Sequence, residues 1–375
     1  MKTSLETPIP LLDLGLCHGP LAEELTRDFQ RVLRSGQFIL GPEHDAFERE
    51  LAEASRVKHA VGLASGTAAL SIALLGLGLK PGDEVIVPAF TYFASASAVT
   101  SIGGVPRFVD VEPDRLGLDP ARLTAAITPR TRAIMAVHLY GLSCAMDPLL
   151  AIGEKRGVPV LEDAAQAIGA EDNGRAVGSA SAGAALSFFP TKNLGGLGDG
   201  GAFLTNDDAL AARVKLLRVH GDVGNYRHEM LGTNARLDAL QAAFLRTKLR
   251  HLPEWTEARR ALAARYRKSL EGTAISLPPD PAEALHTYHQ FTIRAPKRDA
   301  LAAHLKERGI MTRVYYPIIV PAQPCFASLG YAPGDHPVSE QLAREVLSLP
   351  IYPGLTGEQV DRVAREIRAF YGDSR

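Results

Sequence analysis

Residues 187–201 read SFFPTKNLGGLGDGG, which places one lysine, Lys192, between an apolar run and a glycine-rich turn. Asp163 ends another apolar run 29 residues earlier in this 375-residue chain. A lysine amine forms a Schiff base with the aldehyde of pyridoxal 5'-phosphate (PLP), and a carboxylate pairs with the pyridinium nitrogen and keeps the ring an electron sink. Together, the lysine and the aspartate predict a PLP site.

A short segment nearer the N-terminus has the composition of a phosphate-binding turn. Ser65, Gly66 and Thr67 follow an apolar run and open a predicted helix. Glycine lets the backbone approach a ligand closely, and the amides and hydroxyls at a helix N-terminus favour a phosphate. Taken alone, these residues also fit an ordinary serine N-cap with a tight turn. Beside Lys192, the phosphate interpretation is preferred.

Other candidates lie at or after the ends of predicted strands. Tyr92 is the candidate for stacking on the cofactor ring, with core packing as the alternative. Asp163 is placed for the ring nitrogen and Gln166 for the ring hydroxyl, although Asp163 also fits a helix cap. Ser187, five residues before Lys192, is within range of the same phosphate. Because the carboxyl ends of parallel strands open onto a ligand crevice, these residues are expected to converge.

The order of apolar runs predicts the fold class. Over the first two thirds of the chain, β-rich runs alternate with helical stretches, which indicates an α/β fold whose mainly parallel central sheet is sandwiched by helices. Beyond Asp207 the pattern becomes helical, and a long amphipathic helix over 254–270 links this part to a smaller C-terminal α+β domain. One strand of that domain is predicted over 312–315. The predicted division is a large PLP-binding domain over 1–252 and a small domain over 253–375.

A helix is also predicted over 236–249, with Leu237, Leu240 and Phe244 on one apolar face. Asn234 is its natural N-cap. Spacing alone gives Asn234 no role beyond that cap.

Charge and composition argue against several function classes. The net charge is −1, with 22% charged residues, so no basic field indicates nucleic acid or an anionic membrane. Three widely spaced cysteines (Cys17, Cys144 and Cys325) form neither a disulfide framework nor, with the histidines, a metal-ligand pattern. The N-terminus lacks a secretory apolar core, and no apolar run is long enough to span a membrane. A cytoplasmic protein without a metal site is therefore expected.

The glycine-rich turn does not match two common nucleotide-binding motifs. A dinucleotide fingerprint follows a strand, whereas this turn precedes the predicted strand 201–205. No Lys-Ser or Lys-Thr pair ends the turn, as a P-loop requires. The apolar residues and glycines on either side of Lys192 instead indicate partial burial and a depressed lysine pKa.

Six segments, in order and at their spacing, resemble the DegT/DnrJ/EryC1/StrS family of PLP-dependent nucleotide-sugar aminotransferases. The resemblance extends over nearly the whole chain, and no single segment would make it specific. The segments are Ser65-Gly66-Thr67-Ala68-Ala69-Leu70, Pro88-Ala89-Phe90-Thr91-Tyr92, Glu162-Asp163-Ala164-Ala165-Gln166, Ser187-Phe188-Phe189-Pro190-Thr191-Lys192-Asn193-Leu194-Gly195, Gly232-Thr233-Asn234-Ala235-Arg236-Leu237-Asp238 and Leu347-Ser348-Leu349-Pro350-Ile351-Tyr352-Pro353.

The resemblance implies a fold type I PLP-dependent transferase, the aspartate aminotransferase architecture, that works as a homodimer with shared active sites. It implies that Lys192 forms the Schiff base and that Asp163 pairs with the pyridinium nitrogen. Asn234 would reach the phosphate of the neighbouring subunit's cofactor, which extends the cap role derived above. The other cofactor contacts implied are Ser65, Gly66, Thr67 and Ser187 at the phosphate, Tyr92 on the ring and Gln166 at its hydroxyl.

The substrate side is also implied by the resemblance. Tyr226, Arg227 and His228 look like the family loop that borders the partner's substrate site, and Tyr315 is a further substrate candidate. The amino donor implied is L-glutamate, which leaves the cofactor as pyridoxamine phosphate. The acceptor implied is a keto sugar linked to a nucleotide diphosphate. The forms Lys-Asn-Leu-Gly and Gly-Asp-Gly-Gly are similar to members that aminate 3-keto sugars, with 4-keto sugars as the alternative.

Two other functions stay open from the sequence. One is a PLP lyase or desulfurase on the same fold, for which Cys325 is a nucleophile without a partner base in view. The other is a regulatory protein without turnover, which would not need both Lys192 and Asp163. Family members with dehydratase activity have histidine in place of the lysine, so Lys192 argues against that activity.

Overall fold

A computed structural model describes residues 7–372 of the chain. The strands, in chain order, are β1 (His59–Leu63), β2 (Glu84–Pro88), β3 (Val105–Val109), β4 (Thr131–Val137), β5 (Val160–Asp163), β6 (Glu171–Asp172), β7 (Arg175–Ala176), β8 (Gly183–Ser187), β9 (Gly201–Thr205), β10 (Ala284–Leu285), β11 (Phe291–Arg294) and β12 (Val346–Leu349). The α-helices are α1 (Leu14–His18), α2 (Ala22–Ser35), α3 (Pro42–Ala54), α4 (Gly66–Gly76), α5 (Ala94–Thr100), α6 (Pro120–Ala126), α7 (Met146–Arg156), α8 (Asp208–Leu217), α9 (Ala239–Leu249), α10 (Leu252–Leu270), α11 (Arg298–Glu307), α12 (Pro337–Glu345) and α13 (Gly357–Phe370).

The central sheet has seven strands in the order β1-β9-β8-β5-β4-β2-β3. Only β9 runs against its neighbours, so the sheet is mainly parallel and the predicted fold class is confirmed. Alternate residues of one strand enter different cores: Val85 and Val87 pack in one apolar cluster, and Ile86 packs in another. Burial on both faces explains why these strands are apolar runs without polar alternation.

A second apolar core lies in the C-terminal part. The helix α10 buries Ala263, Tyr266 and Leu270 in it, together with residues of α11, α13 and the two-stranded sheet of β11 and β12. The N-terminal Ile9 also packs in this core. The domain boundary between residues 252 and 253 stays a prediction.

Two expectations about local structure are wrong. The helix predicted over 236–249 begins at Ala239, and Asp238 occupies its N-cap position, so Asn234 caps no helix. Residues 234–238 are extended instead, because Asn234 bridges Val219 and Arg236 bridges Leu63. The stretch 312–315 forms no strand, and its single bridge joins Arg313 to Ser348. Tertiary pairing overrides the local pattern at both places.

None of the helices within residues 7–372 combines the length and the apolar character that crossing a membrane requires.

Candidate active site

The predicted site residues lie at the carboxyl edge of the parallel sheet. Asp163 ends β5, Ser187 ends β8, and Gly66 begins α4 next to that strand. β5 and β8 are hydrogen-bonded neighbours, with Asp163 in register with Ala185. The sheet therefore brings the candidate carboxylate and the candidate phosphate cradle to one end, as expected for a ligand crevice.

Lys192 follows in the turn after β8 and is electrostatically coupled to Asp163. Burial lowers the pKa of Lys192 to about 8, and the attraction of the Asp163 carboxylate opposes that shift. A lysine with this pKa has a far larger neutral fraction near neutral pH than a lysine with the ordinary pKa. Since the neutral amine is the nucleophile and the base, the environment activates Lys192 for both tasks.

A buried serine fixes the orientation of Asp163. The hydroxyl of Ser95, on α5, donates to Asp163 Oδ2 at 2.7 Å, and the backbone N–H of Ala165 donates to Oδ1 at 3.2 Å. Ser95 also contacts the hydroxyl of Thr91 at 2.9 Å. The sequence analysis missed Ser95, because the link from Ser95 to Asp163 spans 68 residues and no local motif announces it.

Replacing Ser95 with alanine is expected to destabilise the protein by about 1–3 kcal/mol, because a buried carboxylate loses its hydroxyl donor. Urea unfolding measures the change. Ser97→Ala on the same helix is the matched control, since its side chain makes no hydrogen bond among the described residues, and its effect should stay within about 0.5 kcal/mol. Equal losses in the two variants would contradict the assigned role of Ser95.

The candidate phosphate cradle is formed by close backbone packing. Ser65 caps α4, and its hydroxyl accepts from the N–H of Ala68 at 3.1 Å. A Cβ on Gly66 would lie 2.8 Å from the Cβ of Ser187, so only glycine lets the helix start approach the end of β8 this closely. Thr67 is exposed in the first turn of α4. The free N–H groups and dipole of this helix start therefore face the same edge as Ser187.

The aromatic ring of Tyr92 and the amide of Gln166 form the next part of the site. The ring of Tyr92 is 56% exposed, and its centroid lies 5.8 Å from that of Tyr316. Gln166 accepts from the backbone N–H of Tyr140 at 2.7 Å and donates to the hydroxyl of Tyr316 at 3.1 Å. Because an amide nitrogen has two N–H bonds, Gln166 keeps one donor for a ligand. Tyr316 is a neighbour that the sequence analysis did not select, whereas it selected the adjacent Tyr315.

The residue after the lysine connects the turn to the C-terminal part. Asn193 donates through Nδ2 to the carbonyl of Thr287 at 3.1 Å, and its Oδ1 lies 3.1 Å from Nδ1 of His289. Burial and the charge of Lys192 lower the pKa of His289 well below its ordinary value, so this histidine is neutral and donates to Asn193. These contacts tie the lysine turn to the segment 287–289.

Four other predicted residues stand apart from Lys192 within this chain. Tyr226 is 93% exposed, Arg227 pairs with Glu229 at 2.9 Å, and His228 lies beside the ring of Tyr226. Asn234 is also exposed. Among residues 7–372, none of the four makes a hydrogen bond or ring contact with Lys192, Asp163 or Tyr92 of its own chain.

Tyr315 lies closer to the site. Its carbonyl accepts from the hydroxyl of Tyr140, next to the amide of Gln166, and the guanidinium of Arg313 lies 5.8 Å from its ring centroid. Its backbone is therefore tied to Tyr140, and its ring lies beside the Arg313 cation.

The residues present fit PLP. An activated lysine is coupled to a buried carboxylate, a helix start beside Gly66 leaves no room for a side chain, and an exposed ring stands over the same edge. These features match the aldehyde, the ring nitrogen, the phosphate and the ring face of that cofactor. The fold and the site together define a PLP-dependent transferase of fold type I.

The family follows from the comparison with known sequences. The profile described as the DegT/DnrJ/EryC1/StrS aminotransferase family matches residues 20–368. The chain belongs to this family, which confirms the resemblance found in the sequence. It is a PLP-dependent sugar aminotransferase.

Two curated relatives are similar to this chain over nearly its whole length. A protein named pleiotropic regulatory protein from Geobacillus stearothermophilus is 48% identical over 366 residues, which cover 97% of this chain and 98% of the relative. A dTDP-3-amino-3,4,6-trideoxy-alpha-D-glucose transaminase from Streptomyces venezuelae is 46% identical over 372 residues, which cover 99% of this chain and 98% of the relative.

Two solved structures have the same fold. DesV of S. venezuelae, in complex with a ketimine intermediate, matches with a TM-score of 0.96 and 46% identity, and the match covers 99% of this chain and 100% of that one. NtdA from Bacillus subtilis, with bound cofactor PMP, matches with a TM-score of 0.92 and 33% identity, and covers 99% of this chain and 87% of that one.

Proposed function

We propose that this enzyme transfers an amino group from L-glutamate to a keto sugar linked to a nucleotide diphosphate, with the 3-keto sugar favoured over the 4-keto sugar. The observation that carries the proposal is the coupling of Lys192 to Asp163 at the carboxyl edge of the sheet, with the lysine pKa lowered to about 8. The 3-keto preference is supported by the resemblance in the lysine and glycine segments and by the name of the Streptomyces venezuelae relative.

Each residue of the site has a proposed task. When bound, PLP supplies the aldehyde that takes up the amino group and a ring that withdraws electrons from the reacting carbon. Asp163 holds a negative charge at the ring nitrogen, and Tyr92 covers one face of the ring. Ser65, Gly66, Thr67 and Ser187 bind the phosphate through N–H groups and hydroxyls. Gln166 donates its remaining N–H to the ring hydroxyl.

Lys192 has two proposed tasks in the reaction. Its neutral amine holds the cofactor before the donor arrives, and after displacement Nζ takes the proton from the α-carbon of the donor. The same amine then returns protons in the opposite direction when the keto sugar is bound. Its lowered pKa suits this exchange, because a base near the working pH serves as donor and acceptor of a proton.

The donor and acceptor tests use the purified holoenzyme. L-glutamate should bleach the visible absorption of the bound cofactor and release 2-oxoglutarate in one equivalent per site. A 3-keto nucleotide sugar should then restore the absorption faster than the matching 4-keto sugar. Ammonia and a keto acid released from the donor without any amine acceptor would instead favour the lyase hypothesis. Unchanged absorption with every donor would favour the regulatory role that the name of the Geobacillus relative suggests.

We further propose a homodimer in which Asn234 and the loop with Tyr226, Arg227 and His228 complete the partner's site. Support comes from their exposure and from their separation from Lys192 within one chain. Tyr315 is proposed to border the substrate in its own subunit. A cytoplasmic location is proposed as well, since all three cysteines are free thiols.

Mixed dimers test the shared site. Lys192→Ala and Asn234→Ala are each expected to be inactive, yet an equal mixture that exchanges subunits should recover about one quarter of the wild-type sites. Half of the dimers are then mixed, and each mixed dimer has one site in which both residues are intact. Activity is measured before and after a cycle of dilution and reassembly. A mixture that stays inactive although exchange is demonstrated by mass spectrometry would place both residues in one subunit's site.

A further inference from the structure

A small cavity adjoins the lysine turn and is also lined by residues of the N-terminal segment, α9 and α10. The turn residues Thr191, Lys192 and Asn193 form one wall, and Lys248 of α9 and Arg259 of α10 form another. Asp163, Tyr92 and Ser187 do not line it. Its volume is about 20 Å³, and roughly 10–15 Å³ holds one water molecule, so the cavity admits a group of one or two atoms but not an amino acid or a sugar.

Two buried cations line this cavity without a carboxylate partner. Lys248 is 1% exposed and Arg259 is 4% exposed. Lys248 donates to the carbonyl of Gly195 at 2.7 Å, and Arg259 donates to three backbone carbonyls, those of Tyr288, His289 and Ile351. Neither cation forms an ion pair with an acidic group in the described part of the chain. Burial lowers the pKa of Lys248 to about 8, and buried charges in proteins are normally paired, so a bound anion would compensate Arg259 and the protonated form of Lys248.

Hydrogen-bond donors without partners also favour a bound anion. The Nε of Arg259 is buried and has no hydrogen-bond partner within residues 7–372, and neither has Nδ1 of His18, which also lines the cavity. Lys248 has three N–H bonds and one acceptor. Burial and the charge of Lys248 lower the pKa of His18 to about 4, so the histidine is neutral near neutral pH, and its Nδ1 donates in the tautomer that carries the proton there. Unpaired donors that line a small cavity beside two basic side chains suit an anion.

The acidic groups of the neighbourhood do not supply this charge. Asp13 uses its carboxylate to accept from the N–H of Leu16 at the start of α1. Cys17 also lines the cavity, and burial raises the pKa of its thiol, which is therefore neutral near neutral pH. Since neither Lys248 nor Arg259 forms an ion pair with a side chain of the described residues, an anion from solution can supply the negative charge.

We propose that this cavity binds a small monovalent anion of the halide class, held by Lys248, Arg259 and His18. The size of the cavity selects a monatomic ion over a carboxylate, and its apolar neighbours Leu12 and Trp255 suit a weakly hydrated anion such as chloride. Because Lys248 also binds Gly195, the bound ion stabilises the turn that presents Lys192. Lys192 also lines this cavity, so the ion site adjoins the lysine turn of the proposed active site.

Diffraction with bromide locates the ion directly. Crystals of the wild-type holoenzyme grown in sodium bromide are expected to give an anomalous peak inside the cavity, within about 3.5 Å of Lys248 Nζ. The absence of a peak there would overturn the proposal, even with bromide bound elsewhere on the surface. If crystals grown in sodium formate show formate in the cavity and crystals grown in bromide show no ion there, the halide assignment would be overturned.

Thermal unfolding gives the matching solution test. At constant ionic strength, replacing gluconate by chloride should raise the melting temperature of the wild-type holoenzyme by about 1–3 °C with saturation. Lys248→Met should lose this rise, whereas Lys268→Met, which changes an exposed lysine of α10, should keep it. Identical thermal unfolding curves of the wild type in chloride and in gluconate would contradict the proposal. If Lys248→Met does not fold, the wild-type curves and the bromide peak still decide.

Discussion

Lys192→Ala is expected to lower the rate of amino transfer by about 10⁴-fold or more, because the variant loses the nucleophile and the base at once. The rest of the site should stay intact, since Asn193 keeps its bonds to Thr287 and His289 and so holds the turn in place. Single-turnover kinetics with L-glutamate and the purified variant measure the loss. The structural contacts of the cofactor cradle do not involve the lysine side chain, so the variant should still retain cofactor non-covalently.

A matched variant separates this effect from the general loss of a lysine. Lys155→Ala removes an exposed lysine near the end of α7, and it should leave the rate unchanged within about twofold. Added methylamine supplies a small external base and should restore part of the Lys192→Ala activity without affecting Lys155→Ala. A rate within tenfold of wild type for Lys192→Ala would remove the lysine from the proposed mechanism.

The sequence predicted those parts of the site that are encoded locally. Asp163 and Ser187 could be selected because each ends an apolar run, and a run of that kind becomes a strand whose carboxyl end faces the ligand edge. Gly66 and Ser65 form a helix start, which also has a short-range signal. The fold class was also predictable from local patterns, because strands that are buried on both faces appear in the sequence as apolar runs.

The wrong predictions, and the site residues that the sequence analysis missed, depend on contacts between residues that are far apart in the chain. The helix start was placed at 236 instead of Ala239 because the chain there pairs with β1 and with Val219, which no local pattern encodes. Ser95 reaches Asp163 over 68 residues, and Asn193 reaches His289 over 96. Such partners are common residue types without distinctive neighbours. A single sequence therefore identifies the reacting groups of a site more readily than the groups that orient them.

The negative charge of Asp163 is the second feature of the proposed mechanism that a single substitution can remove. Asp163→Asn keeps the size of the side chain and an oxygen that accepts from Ser95, but it removes the charge proposed to face the ring nitrogen. We expect amino transfer to fall by about 10²–10³-fold, as when one preorganised electrostatic contact is lost in other enzymes. Asp114→Asn, at an exposed carboxylate whose side chain makes no contact with the site, is the matched control.

The same variant makes a prediction about Lys192 in the enzyme without cofactor. The attraction of Asp163 raises the pKa of Lys192 against the larger lowering by burial, and the balance is about 8. Asparagine removes the attraction, so the pKa of Lys192 should fall below 8 and the amine should be neutral over a wider pH range. The pH profile of Lys192 acylation, followed by mass spectrometry, measures this pKa in wild type and in Asp163→Asn. An unchanged profile together with unchanged amino transfer would show that Asp163 acts on neither the lysine nor the ring. A shifted profile with a reduced rate would separate the two effects, because the lysine becomes easier to deprotonate while the reaction becomes slower. That combination is expected only if the carboxylate serves the ring.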